Sequence, residues 1–277
     1  MYISLQPTLT AGRVPWPEFA RLASRLGFPG VDVDLTKAQA AGVDATLAVL
    51  AQNRLKAAVV GLPVEFRKDD AAFSDSLKGL SEAARFSASI GCPRMTTWIM
   101  SSSEVPKEEL WKTFRSRFHQ CSEVLGEHGV RLGLEFLGPL HIRKRFPHEF
   151  IYTMNEMLVF AKECGANVGI LLDSWHWHHA GSTVADILAA GKDRIVHVQV
   201  ADAPKLPPEE IRDNERLMPG EGIIDWNAFF GALQKIRYVD GISPEVFGRG
   251  LKDMPPEEGA KLGLATTTAV MKKAGVL

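Results

Sequence analysis

Eight short β-type runs alternate with eight longer amphipathic stretches along this 277-residue chain, and that alternation limits the fold more than any other feature. The runs are "YISLQ" (2–6), "GVDVDL" (30–35), "KAAVVGL" (56–62), "PRMTTWI" (93–99), "RLGLEFL" (131–137), "VGILLD" (168–173), "IVHVQVA" (195–201) and "GISPEVF" (241–247). Helical periodicity covers 15–27, 44–54, 69–90, 107–128, 149–165, 183–192, 226–237 and 256–274. Such βα alternation specifies parallel strands joined by crossover helices. Eight units in this length predict a closed (β/α)8 TIM barrel in one domain, 1–277, over an open doubly wound sheet. No GxGxxG turn follows the first strand, and no Pro-, Gly- or Ser-rich linker divides the chain. Gly27, Gly91, Gly129, Gly165 and Gly275 stand where helices should end in a left-handed cap.

The formal net charge is −1, without a dominant charge block, so neither a nucleic-acid backbone nor an anionic membrane is the expected partner. A small molecule is. Cys92, Cys121 and Cys164 are odd in number and form no CxxC pair, which predicts core thiols in place of disulfides or a zinc-thiolate site. The first residues contain no basic stretch followed by an apolar one, and no run of eighteen apolar residues occurs. A cytoplasmic protein is the expectation.

In a (β/α)8 barrel, chemistry sits at the C-terminal ends of the strands. Four strands place a polar residue there: Glu135 on the fifth, Asp173 on the sixth, Gln199 on the seventh and Glu245 on the eighth. Three carboxylates converging on one barrel mouth repel unless a cation or protons neutralise them. Three carboxylates and one amide oxygen form a hard donor set suited to Mg²⁺ or Mn²⁺, with Zn²⁺ or Co²⁺ left open. Taken singly, each has a plainer reading as an ion-pair partner, a helix cap or a hydrogen-bonded core amide. The convergence gives them weight.

The motifs "GLEFLGP", "ILLDSWHWHHAG", "IVHVQVADAP", "PGEGIIDW" and "ISPEVFG", in this order, resemble the sugar isomerase and epimerase group of xylose isomerase-like barrels. That group includes D-tagatose 3-epimerase and hydroxypyruvate isomerase. The resemblance implies one divalent cation held by Glu135, Asp173 and Glu245, with Gln199 on the fourth ligand position. The epimerases carry a histidine at that fourth position, and the "HVQ" found here looks like the hydroxypyruvate isomerase branch. His176 is similar to a family residue that bonds a substrate oxygen. Lys205 occupies the place of a substrate-binding arginine. Trp98 stacks on a sugar face or fills core, and Glu221 shapes the rim. The "HIRKRF" stretch, 141–146, clamps an anionic substrate or is a solvated basic loop. Two copies commonly pair in this group, so a homodimer is an open expectation.

A cation beside a carbonyl makes the adjacent C–H acidic enough for a carboxylate to remove its proton, leaving an enediolate. The resemblance implies Glu135 and Glu245 as the catalytic pair. Return of the proton gives epimerisation or isomerisation, and loss of a β-hydroxyl gives dehydration of the inosose or 3-dehydroshikimate type. A non-catalytic sugar-binding barrel is the alternative from another class. A multinuclear zinc nuclease is disfavoured, because the histidines cluster at 176–179 in place of spreading over several strands.

Overall fold

The computed structural model describes all residues from Met1 to Leu277. Eight staves form the barrel: β1 (Tyr2–Leu5), β2 (Gly30–Val31), β3 (in two pieces, Lys56–Ala57 and Val60–Gly61), β4 (Arg94–Ile99), β5 (Arg131–Phe136), β6 (Val168–Asp173), β7 (Ile195–Val200) and β8 (Gly241–Pro244). All neighbours in the barrel run parallel, and β8 returns to β1 through Tyr2↔Gly241 and Ile3↔Ile242.

The expected third strand, 56–62, is interrupted. Its first piece pairs with β2 (Val31↔Ala57) and its second with β4 (Val60↔Met95), so the barrel closes through Ala58 and Val59. Ala58 N–H still donates to Val31 O and Val33 N–H to Val59 O, both at 3.0 Å, which satisfies the backbone across the bend. Side chains alternate between the barrel interior and the helical shell, and the apolar ones merge into a single contiguous core.

Other departures are local. The helix expected over 69–90 is two, Asp70–Leu77 and Leu80–Ser89, with Asp69 capping the first through Ala72 N–H at 2.8 Å. The one expected from 149 begins at Met154, because Thr153 caps it. A helix that periodicity missed, Leu35–Ala41, is capped by Asp34. Gly27, Gly91, Gly129 and Gly275 adopt left-handed backbone as expected. Gly165 does not: its φ of 163° is extended. There a Cβ would fall 1.9 Å from Ser122 Oγ, so close approach explains this glycine. No helix is long and apolar enough to cross a membrane.

Candidate functional site

A cavity of about 420 Å³ opens at the C-terminal ends of the strands, as barrel topology requires. Glu135, His176 and Glu245 lie against it with Trp98, while Asp173 and Gln199 are buried at its base. Register explains the convergence: Gln199 is level with Asp173 across β6 and β7, and Glu245 continues β8 by donating its N–H to Val200 O at 3.0 Å.

At the end of β6, Asp173 does two jobs. Its Oδ1 accepts the Trp175 N–H at 2.6 Å, starting the short helix Ser174–His179 that carries His176 into the cavity. Its Oδ2 accepts from Arg216 Nη1 at 3.0 Å. The "GP" after β5 lets this helix sit close, because a Cβ on Gly138 would lie 2.3 Å from the His176 carbonyl oxygen.

Arg216 is the residue that sequence reading missed. Its guanidinium is buried (2% exposed) between Asp173, Asp213 and Glu245, at 3.0, 2.9 and 3.1 Å. Nε also donates to Asp213, and Nη2 donates to His176 Nε2 at 3.2 Å, so every N–H of the guanidinium is engaged. Burial opposes its charge, yet these carboxylates hold it protonated above its ordinary range. Because arginine can only donate, His176 accepts at Nε2 and carries its proton on Nδ1. Burial first, then Arg216, push the His176 pKa well down, which agrees with a neutral ring.

The acidic groups differ. Burial, then Glu245 and Asp173, raise Glu135 well above the usual carboxylate range. Burial raises Asp173 as well, against the pull of Arg216. Burial lifts Glu245 to about 7 even though Arg216 opposes it. Asp213 is also buried enough to resist ionising, but Arg216 outweighs that and its pKa falls. Glu245 is firmly held: Oε1 accepts from Gln6 Nε2 at 2.7 Å and from Gln199 Nε2 at 3.1 Å. Glu135 Oε1 and Gln199 Oε1 are buried with no donor facing them.

These orphaned oxygens fit a divalent cation. Four carboxylates face one arginine, which leaves the cluster short of positive charge. Glu135, Asp173 and His176 also offer ligand atoms within 4.8 Å of one another. Among the remaining expected positions, Trp98 is 43% exposed and lies against the cavity, with the Arg67 guanidinium 3.8 Å from its ring centroid. Lys205 is exposed and lies outside the cavity; the cation facing the carboxylates is Arg216. Glu221 is bonded twice by Arg249, at 2.8 and 2.7 Å, and so ties the "PGEG" loop to the loop after β8. The signal that points to Arg216 is the need for a buried counter-charge among the carboxylates, which "NERLMPG" offers.

A xylose isomerase domain protein from Alicyclobacillus acidocaldarius superposes with a TM-score of 0.91 at 28% identity over 99% of each chain. An IOLI protein solved with a zinc atom shares the fold at a TM-score of 0.83 and 20% identity, again over 99% of each chain. The inosose isomerase of Bacillus subtilis (strain 168) is 29% identical over 178 residues, 63% of this chain and 61% of that protein. The matched part thus spans about three fifths of the length of such curated relatives. An L-ribulose 3-epimerase from Mesorhizobium japonicum is 27% identical over 71% of this chain and 58% of its own. A 3-dehydroshikimate dehydratase from Pseudomonas putida is 30% identical over 51% of this chain and 22% of its own. A family model for the xylose isomerase-like TIM barrel matches residues 20–270, and the chain belongs to that family.

Proposed function

We propose that this protein is a divalent-metal-dependent isomerase or epimerase that moves a proton next to the carbonyl of a small sugar or keto acid. One observation carries the reading: two carboxylates of raised proton affinity, buried Glu135 and half-buried Glu245, face one cavity around an internal arginine. The isomerase and epimerase names among the relatives support it, as does the zinc atom in the IOLI structure.

Glu135, Asp173, Gln199 and Glu245 would hold the cation, which supplies positive charge beside a bound carbonyl and so lowers the cost of removing the adjacent proton. Glu135, which lines the cavity, takes that proton, while its buried Oε1 is left for the cation. Burial makes its carboxylate a stronger base than a solvated glutamate. Gln6, Gln199 and Arg216 fix the second carboxylate, Glu245, so that it can return a proton without rotating away. Arg216 has no donor left for substrate and serves as counter-ion, while neutral His176 presents an N–H at Nδ1 that has no partner inside the protein.

A proton returned to the same carbon inverts it; one returned to the neighbour exchanges aldose and ketose. The 3-dehydroshikimate dehydratase relative favours a second reading, in which a β-hydroxyl leaves as water. The test is to incubate manganese-loaded protein with a panel of ketoses and keto acids in D₂O and follow the carbon-bound protons by NMR. Deuterium entering beside the carbonyl, and lost in Glu135→Gln, is expected. Released water with a new conjugated absorbance selects the dehydratase, and sugar that binds but returns unaltered selects a non-catalytic barrel.

A further inference from the structure

The cavity has two chemically different ends. Its base is acidic, and Arg216 there is spent on Asp173, Asp213, Glu245 and His176. Its rim is the segment after β5, from which His141 and Arg145 line the same cavity. Two neighbouring arginines are already engaged: Arg143 bonds Glu149 at 2.9 Å, and Arg67 lies over Trp98 and donates to its carbonyl oxygen. Arg145 is exposed and pairs with no acidic group; its guanidinium lies 5.5 Å from the centroid of the Phe146 ring. His141 adds a second unmet donor. The Asp213 backbone N–H donates to its Nε2 at 3.4 Å, so the proton sits on Nδ1, which is buried with no acceptor.

Resting on the proton-transfer reading above, we infer that the substrate carries a carboxylate remote from its reacting carbonyl, received at the cavity rim by Arg145 and the His141 Nδ1–H. A neutral ketose meets the base of the cavity but offers the rim only a hydroxyl. A carboxylate presents two acceptor oxygens to a planar guanidinium and an N–H, which suits the donors present. One unpaired arginine also matches a single negative charge better than a phosphate dianion. Leu137, Ile142 and Phe247 supply the apolar part of the same cavity wall.

L-Sorbose and 5-keto-D-gluconate test this directly, since they differ only in a terminal hydroxymethyl against a carboxylate. Each is titrated by calorimetry into manganese-loaded wild type, Arg145→Gln and Lys144→Gln. Lys144 is exposed and lies outside the cavity, so its removal measures the general field of a basic loop. Wild type is expected to bind the acid about tenfold more tightly than the neutral sugar, a preference that Arg145→Gln reduces to within about twofold and Lys144→Gln leaves standing. Equal binding by wild type, an equal loss in both variants, or no binding of either compound overturns the inference. Binding that keeps the preference without any proton exchange in D₂O overturns the proposed chemistry instead and leaves the carboxylate site intact.

Discussion

Arg216 shows what a single buried charge does here. Asp173 is wholly buried and the Glu245 side chain is 14% exposed, and neither has another cation within bonding distance. Replacing Arg216 by Met keeps the length and removes the charge, so two or three carboxylates must take up protons or repel. Urea unfolding of the chelated protein should show a loss of about 3–5 kcal/mol. Divalent metal should restore part of it, because it supplies the missing charge. A loss below about 1 kcal/mol would show that the carboxylates are already protonated and that Arg216 is not their counter-ion. Glu135→Gln, by contrast, should leave stability within about 1 kcal/mol and lower kcat about 10²- to 10⁴-fold in steady-state assays. The four strand-end residues were legible in the sequence because barrel topology fixes where strand ends converge. Arg216 and Asp213 were not, since they sit on a loop with no periodicity, folded back over the mouth.

At the scale of elements, the site depends on how closely the Ser174–His179 helix seats against the turn after β5. Gly138→Ala would put a methyl 2.3 Å from the His176 carbonyl oxygen and 2.6 Å from the Ala180 nitrogen, both backbone atoms that cannot swing aside. The helix must move. Differential scanning calorimetry should record a destabilisation of about 1–3 kcal/mol, and kcat should fall while the far-ultraviolet circular dichroism stays unchanged. An unaltered kcat would mean that His176 has slack which the contacts do not suggest. This seating was not legible: "GP" follows the fifth strand, but nothing in the sequence says which backbone passes over it. The break in β3 escaped for a similar reason. Seven residues of continuous β pattern, 56–62, read as one strand, whereas the chain must leave β2 for β4 as the barrel curves.

Across the whole molecule, closure is held by polar groups inside the barrel as well as by the ladder. Asp32, just beyond β2, accepts hydroxyl protons from Ser4 on β1 at 2.6 Å and from Ser243 on β8 at 2.8 Å; His197 on β7 reaches Ser243 Oγ at 2.8 Å. Four staves therefore share one buried network. Eightfold alternation made the barrel itself legible, but this network could not be read, because it depends on which side chains point inward at one level. The two titratable members pull in opposite directions. Burial raises Asp32 to about 7, against the hydrogen bonds from Ser4 and Ser243, and burial with a contribution from Arg94 drops His197 to about 3. For Asp32 the folded pKa lies above the unfolded value, so the native state binds the extra proton between about pH 4 and 7. Its contribution to stability therefore falls as pH rises through that window. His197 stays neutral when folded and would protonate when unfolded below about pH 6.5, so its contribution falls as pH drops. In wild type the two slopes oppose each other. Asp32→Asn keeps an oxygen for both serines and removes the first slope alone. The stability of wild type minus that of the variant, from urea melts at half-unit steps, should decline with rising pH by up to about 1.4 kcal/mol per unit between pH 4 and 7, then level off. A difference that stays constant from pH 4 to 8 would mean that Asp32 is ionised throughout, with Ser4 and Ser243 offsetting its burial in full.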